Sequence, residues 1–342
     1  MQPDPGADEP RPPGRPGPST TVPWFRPIEP TDIDVCIDIF DAAQQELAGR
    51  LSQPWSPADR PIMGRLLAHL IEGNRGCAWI AEAGDGAPAS RGPLAFAVAI
   101  RRGSLWFLSF LFVRPEAQGA GLGRRLLLRC LAEGQKAIDR PIPTDAEVFL
   151  ATCVDALQPV STGLYAGYGI VPRTPLLTMV GRPVAGSLPQ LPSSVTATPF
   201  EEVGEAEAGH DVLVRAIERL DRQLVGYERP TDHRFWRRDG RIGVLYRGPK
   251  AEGLAYGYVA RSGRLGPICV RDTALAPAVL GDLFGRVEPA GAYQVVVPGA
   301  AERALVSLLH AGLRFEGSPA LYCASRSATD FERYLPAGFA LL

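Results

Sequence analysis

A long apolar run that ends at a glycine-rich segment restricts the fold more than any other part of the chain. Residues 105–113 are apolar at every position except Ser109, which is typical of a central β-strand covered on both faces. Glycines then follow at three alternate positions: Gly119, Gly121 and Gly123. The next residues carry one apolar stripe at helical spacing, formed by Leu122, Leu126, Cys130 and Leu131. The segment therefore predicts a strand, a glycine turn and the start of an amphipathic helix.

A turn of this kind is suited to a phosphate or pyrophosphate group. Successive backbone N–H groups point into one concavity, and the dipole of the following helix adds partial positive charge. Glycine also lets a ligand approach the backbone closely, because it has no Cβ atom. The pattern matches neither the dinucleotide motif GxGxxG nor the P-loop motif GxxxxGK[ST]. A turn that only packs a helix against a sheet remains the alternative at this point.

Two motifs resemble those of one family. The segment QGAGLG, which begins at Gln118, has the form Q/R-x-x-G-x-G/A found in the GNAT superfamily of acyl-CoA N-acyltransferases. Further along, STGLYAGYGIVPR, which begins at Ser161, is similar to the LYxxxGF segment of that family. The resemblance covers residues 24–183.

The resemblance implies a cofactor site and a catalytic residue. In the family, the glycine loop wraps the pyrophosphate of coenzyme A, and the preceding strand pairs with the pantetheine arm. The tyrosine of the second motif, here Tyr165, protonates the departing CoA thiolate. Carried over to this sequence, the acetyl-CoA contacts are Leu111, Phe112, Val113, Gln118, Gly119, Ala120, Gly121, Leu122, Gly123 and Arg124.

Acyl transfer to an amine also needs a neutral nucleophile and stabilisation of an oxyanion. The resemblance assigns the second task to backbone N–H groups beside Phe112 and Val113. The base stays unassigned, because the central strand offers only Ser109 and the next strand offers only Glu147 and Asp155 at its ends. The asparagine that the family often places before its tyrosine is missing, and Gln158 or Ser161 lies near that position.

The second half of the chain repeats the order of strands and helices, which indicates an internal duplication. Aligning VRDTALAPAVLGDLF with VRPEAQGAGLGRRLL places aliphatic residues opposite the motif, and Leu308 falls opposite Tyr165. Pro267 also interrupts hydrogen bonding in the strand that would bind pantetheine. We therefore predict an α/β fold of two tandem GNAT-like domains, each a mostly antiparallel mixed sheet flanked by helices. The predicted parts are a disordered Pro-rich leader (1–22), an acetyltransferase domain (23–183), a linker (184–194) and a degenerate domain (195–342).

Composition excludes several classes of function. The net charge is −1, from 36 basic and 37 acidic residues, so neither nucleic acid nor a membrane surface is an expected partner. The six cysteines are scattered without a framework spacing, as in a reduced cytoplasmic protein, and no export or membrane-spanning segment is evident. The four histidines match no metal-ligand spacing, so no metal is predicted. The polar, aromatic segment 221–236 is either a substrate contact or, the preferred interpretation, a solvated helix end with its loop.

The predicted activity is transfer of an acetyl group from acetyl-CoA to an amine of a small molecule, a peptide or a protein. The alternative is a non-catalytic acyl-CoA-binding sensor or regulatory module. A tandem layout similar to mycothiol synthase is a third hypothesis, but that resemblance implies a working glycine loop in the second half, and here it lies in the first. The second domain either shapes the acceptor pocket, forms a homodimer or only stabilises the first.

Overall fold

The apolar run at 105–113 forms the central strand predicted for it. The computed structural model describes residues 23–84, 92–134, 148–203 and 207–342, and the leader (1–22) and Glu147 lie outside them. The first half contains β1 (Trp24–Pro27), α1 (Ile33–Arg50), α2 (Arg60–Glu72), β2 (Ala78–Glu82), β3 (Ala95–Arg102), β4 (Leu105–Val113), α3 (Leu122–Gly134), β5 (Phe149–Asp155), α4 (Pro159–Ala166) and β6 (Val171–Gly181).

The second half broadly repeats this order, with a few additional short elements. Its elements are β7 (Thr196–Pro199), α5 (Phe200–Val203), α6 (Glu207–Leu220) with a π-helical turn at its end (Asp221–Val225), α7 (Pro230–Arg238), β8 (Ile242–Arg247), β9 (Gly253–Val259), β10 (Leu265–Val270), α8 (Ala276–Phe284), β11 (Tyr293–Pro298), α9 (Glu302–His310), β12 (Arg314–Phe315), β13 (Ala320–Ala324) and β14 (Tyr334–Leu335). None of the helices within the described ranges combines the length and apolar character that a bilayer crossing requires.

The strands form two sheets. The larger has the order β1-β2-β3-β4-β5-β13-β6-β11, with β12 also paired to β6, and the smaller has the order β14-β10-β9-β8-β7. Within the larger sheet only β4 and β5 are parallel, and its other strand pairs are antiparallel. The predicted α/β fold class of mostly antiparallel sheets flanked by helices is confirmed, and the named strand pairs of the smaller sheet are all antiparallel.

Strands of the two halves exchange places, which the sequence did not predict. β13, from the second half, lies between β5 and β6 of the first and pairs with both. The C-terminal part of β6 in turn lies between β11 and β12 of the second half, with Met179 opposite both Val295 and Phe315. β13 of the second half therefore completes the pairing of β5 and β6, and β6 of the first half joins β11 and β12 of the second. The boundaries 23–183 and 195–342 stay a prediction, but the sheet hydrogen bonds cross them.

Helices cover both faces of β4, as an apolar central strand requires. Phe107 and Phe110 pack with α1 and α2 on one face, whereas Trp106 and Leu108 pack with α3 on the other. The predicted apolar stripe of α3 is buried, because Leu122, Leu126, Cys130 and Leu131 are all at most 3% exposed. The glycine turn before α3 is thereby held at the end of β4.

Carboxylates stand at the starts of the first two helical segments. A 3₁₀ turn (Pro30–Asp32) precedes α1, and the Asp32 carboxylate closes a capping box on that turn by accepting a hydrogen bond from the Glu29 amide at 2.8 Å. α1 then begins at Ile33. α2 begins at Arg60, because the Asp59 carboxylate accepts from the Ile62 amide at 3.0 Å.

Half of the residues in segment 221–236 are buried, among them charged and aromatic ones, so its interpretation as a solvated helix end is wrong for these residues. Asp221, Arg229 and Trp236 are each at most 1% exposed. The Asp221 carboxylate contacts Arg229, His233 Nε2 at 2.7 Å and the Tyr256 hydroxyl. Hydrogen bonding of this kind is what allows charged groups to be buried.

A second buried cluster joins the two halves. Arg102 of β3 donates to both oxygens of Asp232 on α7, at 2.7–2.9 Å, and His69 of α2 lies 2.8 Å from the same carboxylate. The His69 ring also stacks on Phe235 at 4.3 Å between centroids. His69 is thus a structural histidine with a hydrogen-bond partner in the other half.

Candidate functional site

The glycine turn has the backbone geometry of an anion-binding loop. Gly119 and Gly121 have φ values of +79° and +74°, in the left-handed region that other residues avoid. A Cβ atom at either position would meet nothing within 4 Å, so the space beside the turn is open. Gln118 Nε2 donates to the Val113 carbonyl at 3.2 Å and ties the turn to the end of β4. α3 then begins at Leu122, with its N-terminus at the turn.

β4 and β5 separate next to this turn. Their parallel pairing ends at Leu108 and Thr152, where Thr152 Oγ1 donates to the Leu108 carbonyl at 2.8 Å. The β3–β4 register shifts at this point, which makes Ser109 a bulge residue. From there to Val113, β4 has no strand partner on the β5 side. An extended ligand can pair with that edge as an additional strand would.

A cavity of about 920 Å³ opens between the separated strands. The structure brings all but one of the predicted site residues to its wall, namely Leu111, Phe112, Val113, Gln118, Gly119, Gly121, Leu122, Gly123, Arg124 and Tyr165. The exception is Ala120. Arg124 Nε donates to the Tyr168 hydroxyl at 3.0 Å, which fixes this arginine at the start of α3. The roles of these residues stay a prediction.

Tyr165 lies on α4 at the apolar side of the cavity. It is 5% exposed and packs in the core cluster that contains Leu126 and Ile170. Burial raises its pKa well above the usual value, and the nearby Cys323 thiol adds to the effect. The phenol is therefore neutral at physiological pH and able to donate a hydrogen bond, and no acceptor for it is found among the described residues.

Carboxylates are scarce around the cavity. Asp155 is the only Asp or Glu on its described wall, and its two oxygens accept from the Leu157 amide at 2.8 Å and from Ser318 Oγ at 3.0 Å. The Ser109 hydroxyl is buried without a hydrogen-bond partner. Gln158 and Ser161, the predicted substitutes for the family's asparagine, also line the cavity. Glu147 cannot be placed, since it lies outside the described residues.

Much of the wall was missed at the sequence level. α1 and α2 contribute Phe40, Met63 and Leu66. The second half contributes Phe235, Trp236, Arg241, Arg264 and the segment 337–341. The aromatic content of segment 221–236 could have indicated that Phe235 and Trp236 line the site. No pattern marked Arg241, Arg264 or residues 337–341, because they reach the cavity only through the packing of one half on the other.

The corresponding region of the second half has no such loop. Between Val270 and Gly281 no residue has a positive φ, and Ala278 and Leu280 are buried in the core. The predicted linker packs against this helix, since a Cβ on Gly281 would lie 3.2 Å from the Pro189 carbonyl oxygen. Leu308, the counterpart of Tyr165, is fully buried. Pro267 coincides with a register shift in the β9–β10 pairing, as the sequence predicted.

Comparison with known proteins agrees with this geometry. Residues 40–168 match the family model described as "Acetyltransferase (GNAT) family". A putative acetyltransferase from Pyrococcus horikoshii has a similar structure, with a TM-score of 0.68 and 16% identity over 94% of this chain and 96% of that one. A GCN5-related N-acetyltransferase from Sphaerobacter thermophilus gives a TM-score of 0.58 and 18% identity over 91% and 98%.

A tandem GNAT protein from the clavulanic acid biosynthesis pathway gives a TM-score of 0.54 and 12% identity, covering 90% of this chain and 99% of that one. A search of curated protein sequences gave no match. At these identities the structural likeness shows the fold alone.

The first half of the chain contains a domain of the GNAT family, since residues 40–168 match the family model. The whole length of the chain has a fold similar to that of a tandem GNAT protein. The family is one of acyltransferases that use acyl-CoA, and the glycine turn and the open edge of β4 fit that group. No cluster of three or more potential metal ligands occurs in the part of the chain that the structure describes.

Proposed function

We propose that the protein transfers an acetyl group from acetyl-CoA to an amine of a small molecule or peptide. One observation carries the proposal. A left-handed glycine turn, an unpaired strand edge and a neutral tyrosine all face a single cavity of about 920 Å³. These are the groups needed to hold a pyrophosphate, an extended pantetheine arm and a departing thiolate.

The turn residues would hold the pyrophosphate through backbone N–H groups at Gly121 and Gly123, supported by the N-terminus of α3. The edge of β4 would bind the pantetheine arm, and its last N–H groups would stabilise the oxyanion. A bound acetyl-CoA supplies the thioester that the acceptor amine attacks.

Tyr165 would donate a hydrogen bond to the sulfur as negative charge develops on it. An ordinary tyrosine, with a pKa near 10, is already a weaker acid than a thiol of about 8.5, which makes full proton transfer unfavourable by roughly 2 kcal/mol. Burial makes Tyr165 weaker still. Stabilisation of the thiolate by hydrogen bonding therefore accounts for its role better than complete transfer of the proton.

The amine has to reach the cavity in its neutral form. Asp155 is the only described carboxylate on the wall, and it is already engaged by Ser318 and the Leu157 amide. We expect kcat/KM to rise with pH toward the pKa of the acceptor amine rather than to level off near neutral pH, because no described carboxylate is free to act as the base.

The test is release of free CoA from acetyl-CoA with a panel of primary amines, using wild type, Tyr165→Phe and the control Tyr168→Phe. Tyr165→Phe is expected to lower kcat by about 100-fold or more, as removal of one hydrogen-bond donor to a charge that develops in the transition state does. Tyr168→Phe removes the hydrogen bond to Arg124, so it is expected to change KM for acetyl-CoA and to leave kcat unchanged. Binding of acetyl-CoA without turnover of any amine would favour the alternative, a non-catalytic acyl-CoA sensor.

A cytoplasmic location is part of the proposal. All six cysteines are free thiols, and five of them are buried. This agrees with a reducing compartment.

A further inference from the structure

The cavity wall carries an excess of positive charge, and the second half supplies two of its arginines. Four arginines and one aspartate line the described part of the cavity, which gives a net charge of +3. Arg50 has a partner in Glu46 at 2.7 Å, and Arg124 lies beside the glycine turn. Arg241 and Arg264 form no ion pair with any described carboxylate.

Arg241 is the more enclosed of these two. Its Nη1 donates to the Gly266 carbonyl at 2.5 Å, whereas its Nε is buried without a partner. Burial and the neighbouring charge of Arg264 lower the pKa of Arg241 to about 10. Asp239 opposes this shift at longer range, but its carboxylate is bound by Arg65 at 2.7 Å.

Arg264 is the more exposed, lines the same cavity as Arg241 and interacts with its charge. Its Nη2 donates to the Gln294 side-chain oxygen at 2.7 Å, and a Cβ on Gly338 would lie 3.2 Å from its Nη1. Gly338 belongs to the segment 337–341 that lines the cavity. Two close positive charges without a counter-charge are an unfavourable arrangement that a bound anion relieves.

The surface next to the arginines is apolar and largely aromatic. It is formed by Phe40 and Leu66 from the first half, and by Phe235, Trp236 and Phe339 from the second. A ligand with an apolar body fits this surface, and its anionic group fits the two guanidinium groups. Planar guanidinium groups are well matched to carboxylates.

We infer that Arg241 and Arg264 bind a carboxylate of the acceptor, so that the substrates are amines whose amino group is separated from a carboxylate by an apolar body. This inference rests on the proposed function. It assigns the second half a direct part in choosing the acceptor.

The test compares three acceptors: 4-(aminomethyl)benzoate, its methyl ester and benzylamine. With wild type, kcat/KM for the carboxylate is expected to exceed that for the ester by about 10- to 100-fold, as charge-assisted hydrogen bonds to arginine allow. Arg264→Gln should reduce this ratio toward one. Arg303→Gln, an exposed arginine on α9, should leave the ratio unchanged. Equal kcat/KM for the carboxylate and the ester in wild type would overturn the inference.

Two further results separate the inference from the proposed function. If Arg264→Gln weakens acetyl-CoA binding tenfold and the ratio is unchanged, the arginines hold the cofactor and the inference is wrong. If no amine is turned over, the proposed function fails, and calorimetry of the benzoate and of benzylamine with CoA-saturated protein decides the inference. At least tenfold tighter binding of the benzoate supports it, and equal binding overturns it.

Discussion

Gly121 offers the sharpest test of the anion-binding turn, because the chain contains a matched control. Gly121 and Gly186 both have a φ of +74°, both are exposed, and neither would bring a Cβ within 4 Å of another group. Gly121 lines the cavity and Gly186 does not. Substituting alanine at either position therefore adds the same backbone strain, about 1–2 kcal/mol, for a left-handed residue with a Cβ.

The two variants should differ in CoA affinity. A methyl group on Gly121 enters the space where a pyrophosphate would approach the backbone. Loss of one charge-assisted hydrogen bond costs about 1.5–3 kcal/mol, or about 10- to 100-fold in Kd. Gly186→Ala should leave Kd within twofold of wild type.

The assay combines calorimetric titration with acetyl-CoA and urea unfolding of the three proteins. If the turn holds the pyrophosphate, the two variants lose equal amounts of unfolding free energy, and only Gly121→Ala loses affinity for acetyl-CoA. If both variants bind acetyl-CoA like wild type, the turn does not hold the pyrophosphate. If both lose affinity equally, the effect is one of stability and not of the site.

Three further predictions concern the buried groups and the exchanged strands. Burial alone would raise the pKa of Asp221, but the charges of Arg229 and His233 outweigh it and lower the pKa to about 2. As pH falls from 4 to 2, the unfolded chain takes up a proton that the folded chain resists. Wild type should thus lose roughly 2 kcal/mol of stability from this group, a loss that acid titration of Asp221→Asn should not show. Burial raises the pKa of Tyr227 and Tyr258, so above pH ~10 the unfolded chain ionises first and stability falls. Phenolate absorbance should appear together with loss of circular dichroism, and gradual ionisation of the intact fold would contradict this. Residues 1–194 produced alone lack β13 and should aggregate, whereas co-expression with residues 195–342 should restore a single species in gel filtration.

The site could be predicted from the sequence to the extent that it is built from local segments. The glycine turn, the apolar strand before it and the helix after it are neighbours in the chain, so their residue types determine the local geometry. The same holds for Tyr165, whose segment forms helix α4 directly after β5. The absence of a glycine turn from the second half could also be predicted, because aliphatic residues replace the glycines along a stretch of the same length.

The remainder depends on contacts between residues far apart in sequence. β13 has an ordinary strand sequence, and nothing in it specifies that it pairs with Cys153 and Thr174 of the first half. Segment 221–236 looked solvated because it is rich in charged residues. Its buried carboxylates are paired, Asp221 with Arg229 inside the segment and Asp232 with Arg102, which lies 130 positions away. The prediction of exposure from polarity failed for these residues, because oppositely charged groups that pair with each other can be buried.

The strand exchange also limits which segments either half could lose during evolution. After a gene duplication, a copy without catalytic chemistry is ordinarily free to decay. Here, a premature stop before residue 320 would remove β13 from the sheet that carries β4 and β5 and would leave β5 and β6 without their shared partner. The loops of the second half can change freely, but β13 has to be retained for as long as the first half is, because the sheet of the first half is incomplete without it.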